Sequence, residues 1–275
     1  MSEVVEEPTG SSAVARRDAL LLVFASGAVI GVLGGLIGLG GAEFRLPLLI
    51  GLFGFAALHA VILNKSMSLI VVLTALPARL IALPYNEISQ HWTIAANLLA
   101  GSLVGAWLGA SWATRMHSRT LYRVLALLLV LIAAALSVTH LGHVGTLELP
   151  TVARICVAVV AGVGIGIVAA LMGVAGGELL IPTIVLLFGV DIKVAGSLSL
   201  MVSLPTMLVA FARYSRDASF QVLRANTRFV FVMAAGSIAG TIAGGLLLGV
   251  VPSAALIPIL TALLLISSVK VWRHQ

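Results

Sequence analysis

Long, uninterrupted apolar runs constrain this sequence more than any other feature. Ala19–Leu39, Thr93–Ala113 and Leu121–Val138 reach or approach the ~20 largely apolar residues that a bilayer-spanning helix needs. The apolar residues run on without alternating, which selects helices over a membrane barrel. Of the 275 residues 60% are hydrophobic and only 9% are charged, where a soluble domain carries roughly 25% charged residues. The expected class is an all-α integral membrane protein, with the lipid bilayer as its surroundings. A formal net charge of +6 is explained by basic loops on the inner side of the membrane, so no nucleic-acid partner is expected. Cys156 is the single cysteine and lies inside an apolar run, which rules out an intrachain disulfide or a cysteine-based metal cluster. Residues Met1–Val14 are expected to form a disordered tail.

In order, the apolar segments are Ala19–Leu39, Phe44–Phe55, Ala57–Leu83, Thr93–Ala113 and Leu121–Leu141. A second series follows with Ile155–Val174, Leu179–Val190, Val194–Phe211, Phe229–Val251 and Ala254–Val271. The two series repeat. Gly38, Gly41, Glu43, Pro47, Phe53 and Gly54 recur 135 positions later as Gly173, Gly176, Glu178, Pro182, Phe188 and Gly189. The same offset carries Gly101-Ser102, Gly105 and Gly109 onto Gly236-Ser237, Gly240 and Gly244. Ser66 and Ser68 recur as Ser197 and Ser199 at an offset of 131. Scattered glycines could match in any low-complexity chain, but a Glu and a Pro in register could not do so readily. The expected organisation is a tail (1–14), a first repeat (15–145) and a second repeat (146–275), the repeats together making one transmembrane domain.

Five segments per half is an odd number, so the second half is expected to enter the membrane from the opposite side. With the N-terminus inside, Arg16, Arg17, Arg115, Arg119, Arg123, Arg213, Arg216, Arg224, Arg228, Lys270 and Arg273 fall on the inner side. Arg45, Arg79, Arg154 and Lys193 fall towards the outer side. That bias is the positive-inside pattern, and it places both termini in the cytoplasm. In each half the second element is short. Leu179–Val190 would cover ~18 Å as a helix, against a hydrocarbon core of ~30 Å. Each long–short pair is therefore expected to form a hairpin, broken or re-entrant at its glycine motif. Paired interruptions in two inverted halves are the pattern of a transporter's substrate site.

Several residues in or near these motifs could carry chemistry. Glu43 and Glu178 open the short helices, where a carboxylate suits the helix dipole. They are the candidate proton-coupling pair, since intramembrane carboxylates are functional by default; alternatively each only steadies its helix start, the first with Arg45 as partner. Gly40, Gly41, Gly176 and Gly177 leave backbone N–H groups accessible to an anion. Gly101, Gly105, Gly109, Gly236, Gly240 and Gly244 have the four-residue spacing of close helix packing. Lys65 lies inside an apolar run and is a candidate anion ligand or Glu43 partner, if it does not snorkel to an interface. Ser66, Ser68, Ser197 and Ser199 could donate to an oxyanion or bond their own backbone. No metal or cofactor pattern is present, nor any nucleotide or hydrolase motif, and no enzyme activity is expected.

The two motifs, G-L-I-G-L-G-G-A-E-F-R-L-P-L-L and M-G-V-A-G-G-E-L-L-I-P, together with the serine-containing segment after each, resemble the sulfite exporter TauE/SafE family of membrane permeases. The family's usual third motif glycine is Ala42 in the first copy and Gly177 in the second, while Gly40 answers to Ala175. The resemblance implies transport of a sulfur-containing anion (sulfite, thiosulfate or an organosulfonate) with proton coupling. The residues alone also allow a cation or proton exchanger built on the paired Glu residues, or a membrane scaffold that transports nothing.

Overall fold

The computed structural model describes residues 11–37, 41–82, 91–141, 150–246 and 253–273. Among these the regular structure is entirely helical. The first half comprises α1 (Ser11–Ile37), α2 (Ala42–Gly51), α3 (Ala57–Ala82), α4 (Trp92–Ala113) and α5 (Ser118–Leu141). The second half begins with α6 (Thr151–Met172), α7 (Gly177–Phe188) and α8 (Ile192–Tyr214). A 3₁₀ turn (Ala218–Phe220) then leads into the short α9 (Gln221–Ala225), followed by α10 (Thr227–Leu246) and α11 (Ser253–Trp272).

Each apolar segment of the sequence is thus a helix. The expected ends beyond Ile37, Ala82 and Leu246, the boundary between the repeats and residues 1–10 lie outside the described residues. Helix α1 begins at Ser11, inside the stretch expected as a tail. The 3₁₀ turn and α9 were not foreseen. They follow from Asp217, whose side chain accepts a hydrogen bond from the Ser219 N–H at 3.0 Å and caps the turn.

Among the described residues, five helices are long and apolar enough to cross a membrane, within Ala57–Thr74, Trp92–Ala113, Thr151–Met172, Val194–Tyr214 and Thr227–Gly244. The distribution of side chains has the polarity of a membrane protein. Val152, Val160, Phe231 and Leu246 are exposed on the outside, while Glu43, Arg45, Asn64 and Lys65 are buried within. A soluble fold would reverse this, because uncompensated polar groups are costly wherever water is excluded.

Lipid supplies no hydrophobic drive between helices, so close packing must hold them together. Two seams do this. Gly101, Gly105 and Gly109 of α4 lie directly on the backbone of α6 at Val159, Val163 and Ile167, and Gly162 and Gly166 of α6 answer against Leu98 and Ser102. Gly236, Gly240 and Gly244 of α10 lie likewise on Phe24, Ala28 and Val32 of α1. A Cβ built at Gly109 would sit 2.7 Å from the Ile167 carbonyl oxygen, closer than side chains pack. The packing role expected of these six glycines is therefore the one they play.

Packing partners are exchanged between the halves. Helix α1 packs on α10 and its repeat counterpart α6 packs on α4; α3 meets α8, and α5 meets α11. Helix α2 rests on α11 as α7 rests on α5. This exchange brings the two short helices into the interior, next to α3 and α8.

Candidate functional site

Helices α2 and α7 start in the same way. Their N-cap residues, Gly41 (φ 69°) and Gly176 (φ 88°), have left-handed backbones that only glycine adopts without strain. Glu43 and Glu178 are the second residues of their helices. Pro47 and Pro182 lie four residues further on and lack the N–H that would pair with the Glu carbonyl. Each motif therefore presents a carboxyl group, first-turn N–H groups and a carbonyl freed by proline at one place.

Helix α2 is short, but Glu43, Arg45, Leu46, Leu49 and Ile50 are all buried. Glu178 lies partly buried, and both of its carboxyl oxygens are shielded. The two carboxyl groups, one from each half, are close enough to act on one another electrostatically. No donor meets Glu43 Oε2 or either Glu178 oxygen in hydrogen-bonding geometry. Arg45 acts electrostatically on Glu43, and Lys65 on Glu178.

Two consecutive side chains of α3 tie the first half to the end of α6. Lys65 Nζ donates to the carbonyls of Ala169 (2.8 Å) and Val174 (2.7 Å). Asn64 Nδ2 donates to Met172 O and Ala42 O, both at 3.0 Å. Tyr214 of α8 donates its hydroxyl to Ala170 O at 3.0 Å. The last carbonyls of a helix have no intrahelical donor, and here side chains of α3 and α8 supply some of them. Lys65 is fully buried and does not snorkel; two of its three protons go to these carbonyls.

Arg45 is the centre of a second polar group. Its Nη1 donates to Asn64 Oδ1 and to Ser68 Oγ, both at 3.4 Å, and its Nη2 to Ser237 Oγ of α10 at 3.3 Å. Its Nε has no partner. At the repeat-related place in the other half stand Leu180, Ala195, Ser199 and Ser102. There Ser102 Oγ lies 2.6 Å from Thr206 Oγ1, and Ser199 donates to its own helix at Gly196 O, 2.8 Å away.

Of the residues singled out in the sequence, Lys65 thus reaches Val174 just before the second motif, Ser68 meets Arg45, and Glu43 and Glu178 act on one another electrostatically. Ser66 donates to Ile62 O at 2.9 Å, one turn back along its own helix, and Ser197 is fully buried. Gly40 lies outside the described residues. Sequence reasoning did not single out Asn64, Ser237 or Tyr214 for a role. Ser237 was visible only as a neighbour of Gly236 in the repeat, and Asn64 only as the residue before Lys65.

Residues 5–136 match the family model described as Sulfite exporter TauE/SafE. No curated protein and no solved structure matches the chain. The matched stretch contains α2 with its glycine motif, and Asn64, Lys65 and Ser68 of α3. Over residues 5–136, just under half of its length, the chain is thus similar to a family described as sulfite exporters.

Proposed function

We propose that the chain is a proton-coupled secondary transporter of small sulfur-containing anions such as sulfite, thiosulfate or an organosulfonate. It is built from two inverted halves with both termini in the cytoplasm. The anion is held near the starts of α2 and α7 by backbone N–H groups of the Gly40-Gly41 and Gly176-Gly177 motifs. Ser68 and the third proton of Lys65 are the further donors offered to it, while Ser66 and Ser199 donate to their own helices and would have to turn to reach it. Glu43 and Glu178 hold and release the coupled proton.

The observation that carries this reading is the pair Glu43 and Glu178, one from each half, with Glu43 Oε2 and both Glu178 oxygens shielded and unpartnered and the two groups acting on one another electrostatically. Two neighbouring buried carboxyl groups resist being charged together, so an anion arriving beside them favours a proton on one of the pair. With one proton held, Glu43, Glu178, Arg45 and Lys65 together carry one positive charge, which one singly charged anion neutralises. Proton and anion thus bind as a neutral pair, the cheapest way to bring charge into a low-dielectric interior. The exchange of packing partners between halves supports an alternating-access pair.

The orphaned carboxyl oxygens and the proline-freed carbonyls also favour a second reading, a cation or proton exchanger, against which Arg45 and Lys65 argue. Thermal stabilisation of the purified protein by anions and not by cations separates the two. The direct test is pH-driven sulfite uptake into proteoliposomes by Glu43→Gln and Glu178→Gln. Loss of pH-driven flux in both is expected; unchanged transport with unchanged pH dependence would sink the coupling role.

A further inference from the structure

Resting on that reading, we infer that the transporter has one anion seat and not two, and that its anchor is the Arg45 guanidinium, framed by Asn64, Ser68 and Ser237. Arg45 is fully buried, and the side chains that it hydrogen-bonds are all neutral, Glu43 acting on it only through space. Its three hydrogen bonds, at 3.3–3.4 Å, lie beyond the usual N–H···O range. Its Nε–H is unused. A buried guanidinium with long neutral contacts and a spare donor is undercompensated. An oxyanion offering two oxygens would satisfy the fork better than an amide and two hydroxyls do.

The repeat supplies an internal control. The second half keeps the serines (Ser199 for Ser68, Ser102 for Ser237) but replaces the charge and its neighbour, with Leu180 for Arg45 and Ala195 for Asn64. Its hydroxyls pair among themselves or with their own helix. At this repeat-related place the first half holds a buried cation and the second half an apolar side chain. The ligand class is a compact sulfur oxyanion able to accept two parallel N–H bonds.

The experiment measures sulfite-induced thermal shift, equilibrium binding stoichiometry and flux KM for wild type, Arg45→Leu, Arg45→Lys, Ser237→Ala and Ser102→Ala. One anion per chain is expected in wild type. Arg45→Leu is expected to lose the sulfite-induced shift and to raise KM at least ~10-fold, as for loss of charge-assisted hydrogen bonds. Arg45→Lys keeps the charge without the fork and is expected to fall between. Ser237→Ala is expected to raise KM several-fold, while its repeat twin Ser102→Ala keeps the wild-type KM. Should Arg45→Leu fail to fold, Arg45→Lys and the two serine variants decide. Two anions per chain, or a wild-type KM and thermal shift in the Arg45 and Ser237 variants, overturns the inference while the proposed function stands. A wild type that neither binds nor moves any sulfur anion overturns the proposed function itself.

Discussion

Replacing Asn64 by leucine probes the tie between the two halves at one side chain. Asn64 is fully buried, and its Nδ2 gives hydrogen bonds of 3.0 Å to Ala42 O and Met172 O. Met172 closes α6, so no later residue of that helix supplies its carbonyl with a donor. Leucine has a similar volume but leaves that buried carbonyl orphaned, which costs about 1–3 kcal/mol. The lost bond to Ala42 O adds about 1 kcal/mol, and the 3.4 Å contact from Arg45 Nη1 is too long to add much, so the total is roughly 2–4 kcal/mol. For a chain of this size each kcal/mol shifts Tm by roughly 2–4 °C. The expected drop is therefore roughly 4–16 °C, read by intrinsic tryptophan fluorescence during heating in detergent. Ser66→Ala on the same helix serves as the control. Its hydroxyl bonds only its own helix at Ile62 O, so it is expected to stay within roughly 0.5 kcal/mol of wild type. Equal Tm values for Asn64→Leu and wild type would refute the idea that side chains of α3 hold the end of α6.

Gly105→Val and Gly240→Val place a branched side chain on the backbone of the facing helix at Val163 and Ala28, and each is expected to abolish the folded monodisperse peak in size-exclusion chromatography. Gly164→Ala meets nothing within 4 Å and is expected to be neutral or to stabilise by up to about 1 kcal/mol, raising Tm slightly in the same assay. Under the proposed coupling of one proton to each anion, raising the pH is expected to weaken apparent anion affinity by up to about tenfold per pH unit. A binding titration against pH reads this directly, and a flat profile in wild type would contradict it.

Much of the architecture was legible in the sequence because a membrane leaves few options. Apolar runs must be helices, and a recurring Gly–Glu–Pro cluster inside them must mark something that repeats. The left-handed Gly41 and Gly176 and the short α2 and α7 follow from that cluster. The six seam glycines were readable too, since their spacing keeps them on one helix face. What could not be read is who meets whom across the halves. Lys65 looked like a lone cation available to an anion, yet in the fold its ammonium also completes the end of α6, more than 100 residues away. Its neighbour Asn64 does the same, through contacts that no local pattern announces. Arg45 was visible as a basic residue beside Glu43, and Ser237 joins it because α10 packs against α3.

The account rests most heavily on a proton shared by Glu43 and Glu178 and taken up with the anion. Calorimetric titration with an alkanesulfonate, whose own charge is constant near neutral pH, run in buffers of different ionisation enthalpy, counts the protons bound with each anion. In a pH range where the unliganded pair is ionised, close to one proton per anion is expected for wild type, and close to none for the Glu43→Gln/Glu178→Gln double variant. Anion binding by the wild type without proton uptake at any pH would contradict the account.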